Sequence, residues 1–504
     1  MNKRIKIAFI GAGSLSFTRR LIQDLLCVRE FRDNLDFALH DINEHNLSMV
    51  HQIVQRDIRA NGLGSTVSSS LDRRESLKDA DYVVCCVRIG GLDAFRLDIE
   101  IPLQYGVDQC VGDTLAPGGI MYGQRSIAAM LDFCRDIREV SKPGVLLLNY
   151  ANPNAMNTWA CNQYGKVRTI GLCHGVQHGA KQITEALGAK PEEIDYTCVG
   201  INHQTWYVEV RRNGIPVPQE EIYQAMCRHP EFSRTEKVRL DMFRRFGYYS
   251  TESNGHLSEY VPWYRKRPAE ILRWIDFDSW IHGETGGYLR VCTEERNWFE
   301  YEFPQLLEEA PAKLDDRSHE HGSYIIEALE TGRIYRGHFN VMNQNQITNL
   351  PAGCVVELPG YVDRNGISIP VYGDLPMACA ATCAASVRVQ EMSVKAAVSG
   401  NVQLLKLAML HDPLTAAVCN PEEVWQMTDD MLLAQEQWLP QYRSAIEELK
   451  QNPPPRIQSG ALPVTPETRR EVRPTELIAK LRKEQRLREA AGQEKAEYNP
   501  DKRI

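Results

Sequence analysis

Cys173 closes a short apolar run, Thr169-Ile170-Gly171-Leu172, and is followed at once by His174. Thirty residues later a second run, Tyr196-Thr197-Cys198-Val199-Gly200-Ile201, ends in Asn202-His203. A thiolate and an imidazole at the ends of two strands can close on one borderline-soft divalent cation. Asn152, ahead of Pro153, follows another apolar run and reaches the same region if the strands are parallel. Near the start of the chain, Gly11-Ala12-Gly13-Ser14 supplies the first two glycines of a dinucleotide fingerprint, with Ser16 where the third would stand. Such glycines permit a tight turn and let backbone N–H groups approach a pyrophosphate at a helix N-terminus. Asp41 ends the next strand, where a carboxylate can accept hydrogen bonds from the adenosine ribose and repel a 2′-phosphate, favouring NAD over NADP. Each residue also has a plainer reading: Cys173 as a core thiol, Asn152 as a turn residue, Asp41 as a solvated acid.

These groups need elements to carry them. Residues 4–10 read as a buried strand that turns through the glycine loop into a helix from about Phe17. Leu35–Leu39, Tyr82–Val87 and Val145–Leu148 are further apolar runs, the continuous kind that suits a parallel sheet covered on both faces. Strands alternating with helical stretches predict a doubly wound α/β, Rossmann-like nucleotide-binding domain over residues 1–190. Arg88, after the Tyr82 run, would come close to the cofactor's middle. Residues 191–450 predict a mixed α+β domain for substrate, metal and oligomerisation. It includes a hairpin of Val355–Leu358 with Ile367–Ile369 through Asp363-Arg364-Asn365-Gly366. Residues 451–504 predict a charged extension, a linker and then a marginal helix from Pro474 to Ala491, read as solvated. From Lys450 onward 13 basic and 8 acidic residues leave the extension at about +5, against −13 for the rest.

Composition sets the outer bounds. The 504 residues are 43% hydrophobic and 25% charged, the balance of a soluble globular protein. A formal charge of −8 argues against nucleic acid or an anionic membrane as the main partner. No apolar run has membrane-spanning length, and the N-terminus passes into a strand without a signal peptide. Fourteen cysteines, none in a C-x-x-C pair, fall below the density of a disulfide scaffold and suit a reducing cytoplasm.

The motifs together resemble glycoside hydrolase family 4: Gly11-Ala12-Gly13-Ser14, Asn152-Pro153, Gly171-Leu172-Cys173-His174 and Gly200-Ile201-Asn202-His203. Four further stretches look like its α-galactosidase branch: Asp113 to Gly119, Asn149 to Pro153, Phe246 to Ser253 and Met409 to Ala417. The resemblance spans about residues 4–445 with the motifs in order. It implies a fold like that of lactate and malate dehydrogenases, with NAD and Mn2+ as cofactors. It also implies a hydrolysis in which the sugar is oxidised at C3, with the hydride passing to NAD+. The acidified C2 proton is then lost to a base, with manganese offsetting the charge that develops. The glycosidic oxygen leaves by elimination with help from an acid, water adds, and the hydride returns. Family 4 is an exception to the two-carboxylate scheme of most glycosidases.

Carried over residue by residue, the resemblance makes Cys173 and His203 the metal ligands. Asn152 becomes a contact to substrate hydroxyls, and His174 the proton donor. The base falls in the segment holding Glu252, the nearest carboxylate and the candidate for this role, with Tyr249, His256 and Glu259 near it. Gly11, Gly13, Ser14, Asp41 and Arg88 form the cofactor set. Arg88 departs from the branch, where a neutral residue is usual. A guanidinium facing the pocket would suit an anionic glycoside, so an α-glucuronidase or α-galacturonidase is the alternative within the family. Outside it stand an NAD-dependent hydroxy-acid dehydrogenase and a non-catalytic NAD-binding sensor. The expected partner is a small glycoside, and the expected assembly a homo-oligomer, dimer or tetramer.

Overall fold

The computed structural model describes residues 4–277, 279–315, 317–461 and 468–490. Among these residues a single twelve-stranded sheet runs through the molecule. Its strands are β1 (Ile5–Ile10), β2 (Leu35–His40), β3 (Thr66–Ser70), β4 (Tyr82–Cys85), β5 (Leu146–Asn149) and β6 (Thr169–Gly171), then β7 (Ile194–Ile201), β8 (Gln204–Arg212), β9 (Ile215–Pro216), β10 (Tyr335–Met342), β11 (Val355–Asp363) and β12 (Gly366–Ser368). The order is β3-β2-β1-β4-β5-β6-β10-β11-β7-β8-β9, with β12 beside β11.

The first six strands pair in parallel in the doubly wound order, so the predicted α/β fold is observed. The chain reverses its direction of winding at β1, which pairs with β2 on one side and β4 on the other. Ligands in open α/β sheets bind beyond the carboxyl ends of the strands at this switch. The glycine loop follows β1 there, and the Arg88 loop follows β4. Helices Glu44–Ala60 and Ala116–Val140 cover the sheet, the first burying Leu47, Val50, Ile53, Val54 and Ile58 at helical spacing.

The remaining strands are antiparallel and continue the same sheet. The two halves meet on one rung, where Gly171 pairs with Asn340, Asn340 with Glu357, and Glu357 with Gly200. The rung ends two residues before Cys173 and three before His203. The expected hairpin is present as β11 and β12, with Asp363 paired to Gly366 around Arg364-Asn365.

Two expectations are corrected, and one strand was not foreseen. The first helix spans Leu15–Leu26 and so begins before Phe17. Strand β3 escaped the reading because Thr66-Val67-Ser68-Ser69-Ser70 is a largely polar strand at the end of the sheet order and shows no apolar period. The C-terminal extension is docked rather than solvated. Its helix Thr475–Ala490 packs on helix Trp298–Glu308, and both Thr468 and Ile478 are buried. Its arginines pair with acids of the body: Arg456 with Asp430, Arg469 with Glu100, Arg473 with Glu294 and Arg482 with Glu295. The positive balance of this segment is therefore neutralised locally by the negative body.

Candidate active site

Gly11 sits at φ +88°, and a Cβ there would run into the Cys86 carbonyl oxygen. Only glycine fits, which keeps the β1 loop tight against the β4 loop. The backbone N–H of Gly13 donates to Asp41 Oδ2 at 2.7 Å, and that of Asn43 to Oδ1 at 2.9 Å. Asp41 thus braces the loop to the end of β2 while keeping lone pairs for a ribose. Ser14 caps the helix Leu15–Leu26 through its backbone and makes no side-chain cap bond, and the helix has no acid in its first turn. Its leading N–H groups are left for an anion, the arrangement a pyrophosphate requires.

Cys173 lies two residues past β6, just before the helix Gly175–Ala186, whose N-cap is His174. The Gly175 N–H donates to Cys173 Sγ at 3.4 Å, and the helix N-terminus favours a thiolate there. His203 is not at the end of a parallel strand, as the sequence suggested. It is the second residue of the Asn202-His203 turn joining β7 to β8, in the left-handed region at φ +63°. Glu252 comes from the segment after the helix Lys237–Phe246, and its Oε2 lies 2.9 Å from His203 Nε2 and 3.6 Å from Cys173 Sγ. One donor atom from each of these three buried residues lies within 4.8 Å of the others. A side chain at position 175 would meet Glu252 Oε2 at 2.9 Å, so glycine there admits the carboxylate.

A thiol, an imidazole and a carboxylate in this triangle fit a divalent cation that tolerates sulfur. Burial, reinforced by the charge of Glu252, pushes the Cys173 thiol up to about 12. Burial also raises Glu252, but His203 outweighs it and holds the carboxyl far below its ordinary value. A cation held by the three donors would invert the local logic and favour the thiolate of Cys173. The far side of the His203 ring is fixed: Nδ1 lies 2.9 Å from Thr114 Oγ1, which donates to Asp113 Oδ1 at 2.8 Å, and 3.3 Å from Tyr260 Oη. Asp113, His203 and His256 form a second possible donor set that shares this imidazole.

Asn152 donates from Nδ2 to Asp113 Oδ2 at 2.8 Å, and Arg88 Nη2 lies 4.0 Å from the same oxygen. The Arg88 guanidinium is enclosed by rings, 4.2 Å from the centroid of Phe95, 5.0 Å from Tyr122 and 5.4 Å from Tyr288. Its Nη1 is buried without a hydrogen-bond partner among the described residues. His174 turns to another group: Nε2 lies 2.7 Å from Glu320 Oε2, while Tyr150 donates to Glu320 Oε1 at 2.6 Å. Burial lowers the His174 pKa, but Glu320 overcomes this and raises it, so the imidazolium is favoured.

Two of the other residues near Glu252 are engaged elsewhere. Tyr249 donates to Gln182 over the Arg239 guanidinium, and Glu259 accepts the backbone N–H groups of Cys110, Val111 and Gly112. The structure therefore gathers Cys173, His203 and Glu252 in one cluster, links Asn152 and Arg88 through Asp113, and sets His174 on Glu320. Glu320, Tyr150, Asp113 and Thr114 carried no assigned role. Glu320 stands 146 residues from His174, beyond the reach of any spacing rule. Asp113 could have been picked out as the one acid in a buried stretch of the α-galactosidase-like motif.

The model for family 4 glycosyl hydrolases matches residues 6–189, and that for the family's C-terminal domain matches residues 198–415. An α-galactosidase of Rhizobium meliloti is 62% identical over 88% of this chain and 91% of its own length. An α-galactosidase of Bacillus subtilis is 34% identical over 87% of this chain and all of its own. Among solved structures, the putative glucosidase lplD of Bacillus subtilis superposes with a TM-score of 0.72 at 27% identity, covering 85% of this chain and all of that one. The 6-phospho-β-glucosidase of Thermotoga maritima, solved with manganese, NAD+ and glucose-6-phosphate, shares the fold with a TM-score of 0.68 at 22% identity, over 86% of this chain and 99% of that one. With both halves of the family's pattern matched and the thiol and imidazole converging as its motifs require, the chain belongs to family 4 of the glycosyl hydrolases.

Proposed function

We propose that this chain hydrolyses small α-galactosides with NAD+ and Mn2+ as cofactors. The carrying observation is the convergence of Cys173, His203 and Glu252 beside the Asp113–Asn152 pair; the 62% identity to an α-galactosidase selects the sugar. Gly11, Gly13, Ser14 and Asp41 would hold the dinucleotide, and Cys173 with His203 the metal. When bound, NAD+ supplies reversible hydride acceptance at a sugar carbon, and the divalent ion supplies Lewis acidity at the neighbouring oxygens.

The chain's own groups do the rest. Asn152 and Asp113 orient sugar hydroxyls through a shared hydrogen bond that fixes both side chains. Glu252 is the ionised carboxylate available to take a proton from the carbon beside the oxidised one. His174, kept protonated by Glu320, donates to the departing glycosidic oxygen. Arg88 lies against Asp113, so its charge is partly met within the protein. That contact supports a neutral sugar over the α-glucuronidase or α-galacturonidase reading.

Activity on 4-nitrophenyl α-galactoside, with α-glucoside and α-uronides as comparators, tests the reading in Mn2+, NAD+ and dithiothreitol. Turnover of the galactoside with solvent deuterium entering C2 of the product supports it. Preference for a uronide, or product without deuterium, overturns the assigned sugar or route. All fourteen cysteines are free thiols, which supports a cytoplasmic setting. Val371, Tyr372 and Met377 expose apolar surface, which supports a homo-oligomer, dimer or tetramer, to be measured by sedimentation. In this reading residues 1–190 chiefly serve the dinucleotide, and residues 191–450 the sugar and metal.

A further inference from the structure

Part of the docked C-terminal segment grips the stretch from Glu284 to Tyr301. Thr468 accepts the backbone N–H of Thr285 through its carbonyl at 2.9 Å, and the Arg470 N–H donates to Glu284 Oε1 at 3.2 Å. Arg473 binds Glu294 three times, from its backbone N–H and Nε at 3.0 Å each and from Nη2 at 2.7 Å. Arg482 reaches Glu295, and Tyr301 donates to Glu476 at 3.0 Å. Glu284 and Glu294 are themselves joined by Arg290, whose Nε lies 2.7 Å from the first and Nη1 2.9 Å from the second. These acids bracket the short helix Gly287–Glu294.

That helix carries Tyr288, and Tyr288 leads into the site by two routes. Its ring lies 5.4 Å from the Arg88 guanidinium, which neighbours Asp113. It also stacks on Trp280 at 4.6 Å, and the Trp280 ring stands 6.1 Å from His256, which lies 5.0 Å from His203. The same stretch is fastened to the loop before Asp113, where Gly286 N–H donates to the Gln109 carbonyl at 2.7 Å.

We propose that residues 468–490 form a clamp that holds the helix Gly287–Glu294 against the sugar site, with Arg473, Glu294, Arg290 and Glu284 as positioning residues for Tyr288. The clamp forms by pairing arginines of the positive segment with buried acids of the negative body. Such a pair is costly to break, because the acid left behind is buried. The inference rests on the functional reading for its kinetic consequence and on the structure alone for its mechanical one.

In the full-length enzyme, Arg473→Ala should raise KM for the aryl α-galactoside about fivefold while leaving kcat and NAD+ affinity within about twofold. Arg473→Lys should recover part of the loss. Tyr288→Ala should raise KM similarly, and the double variant should be no worse than the weaker single one, as expected of two residues acting in series. Hydrogen exchange should quicken in Arg473→Ala over residues 284–308 and stay unchanged over 198–206. Unchanged KM, multiplying KM effects, or a kcat and NAD+ affinity that fall as KM rises would overturn the positioning role. Unchanged exchange over 284–308 would overturn the clamp itself. If the wild-type enzyme turns over no glycoside, the functional reading fails, and the exchange result still decides the clamp.

Discussion

His203 presents Nε2 to Glu252 and Cys173 while Nδ1 faces Thr114, so both sides of one ring are committed. An imidazole held this way would keep its orientation were the other donors to a bound metal to change. Cys173 is the donor whose loss should be cleanest, because the dinucleotide loop shares no hydrogen bond with it. Cys173→Ser should cut turnover about a hundredfold or more and weaken Mn2+ binding, with NAD+ affinity held within about twofold. Fluorescence titration of NAD+ alongside initial rates measures both, and retained turnover would remove Cys173 from the metal. In the sequence, a place between a β-run and a helix left Cys173 open between core thiol and ligand, and the family resemblance singled it out. It marked Glu252 less well, because nothing in Thr251-Glu252-Ser253 shows that the carboxylate turns inward under Gly175. Glu320 was invisible, since only the fold brings it to His174.

The glycine loop and the β7–β8 hairpin are two of the elements on which the site is mounted. Gly11 and Gly91 both have positive φ, but a Cβ at Gly11 meets Cys86, whereas one at Gly91 meets open space. Gly11→Ala should therefore abolish NAD+ binding and lower Tm, whereas Gly91→Ala should cost only backbone strain, about 1–2 kcal/mol. Thermal unfolding with and without NAD+ separates the two. The parallel strands were legible because each is a continuous apolar run buried on both faces. Strand β3 was not, being polar. The mounting of His203 on an antiparallel turn was hidden as well: Gly200-Ile201 looks the same whether the next residues leave for a crossover or turn back as β8.

Over the whole molecule, one sheet carries the glycine loop, the strand ends that bear Cys173 and His203, and the hairpin, while the charged extension is bound by ion pairs to acids on or beside the surrounding helices. Its charge imbalance was readable, but its partners were not, because the receiving acids other than Asp430 lie well over a hundred residues upstream. Burial raises the Glu294 carboxyl, but Arg473 and Arg290 outweigh it and leave it below the usual 4.5. An acid whose folded pKa is depressed adds stability that is present above its unfolded value and lost as pH falls through its folded one. The extension should thus stay docked at neutral pH and loosen under acid. Hydrogen exchange over residues 475–490 should quicken as pH drops from about 5 to about 3, after correction for intrinsic rates. Glu294→Gln should show quickened exchange already at neutral pH; equal protection in variant and wild type would discount the pair.

The account stands or falls on which atoms hold the cation. Anomalous diffraction at the manganese edge, from crystals grown with Mn2+ and NAD+, reads this directly. It should place one ion at bonding distance from both Cys173 Sγ and His203 Nε2, on the Glu252 side of the ring. An ion bound instead between Asp113 and His256, with Cys173 free, would contradict it.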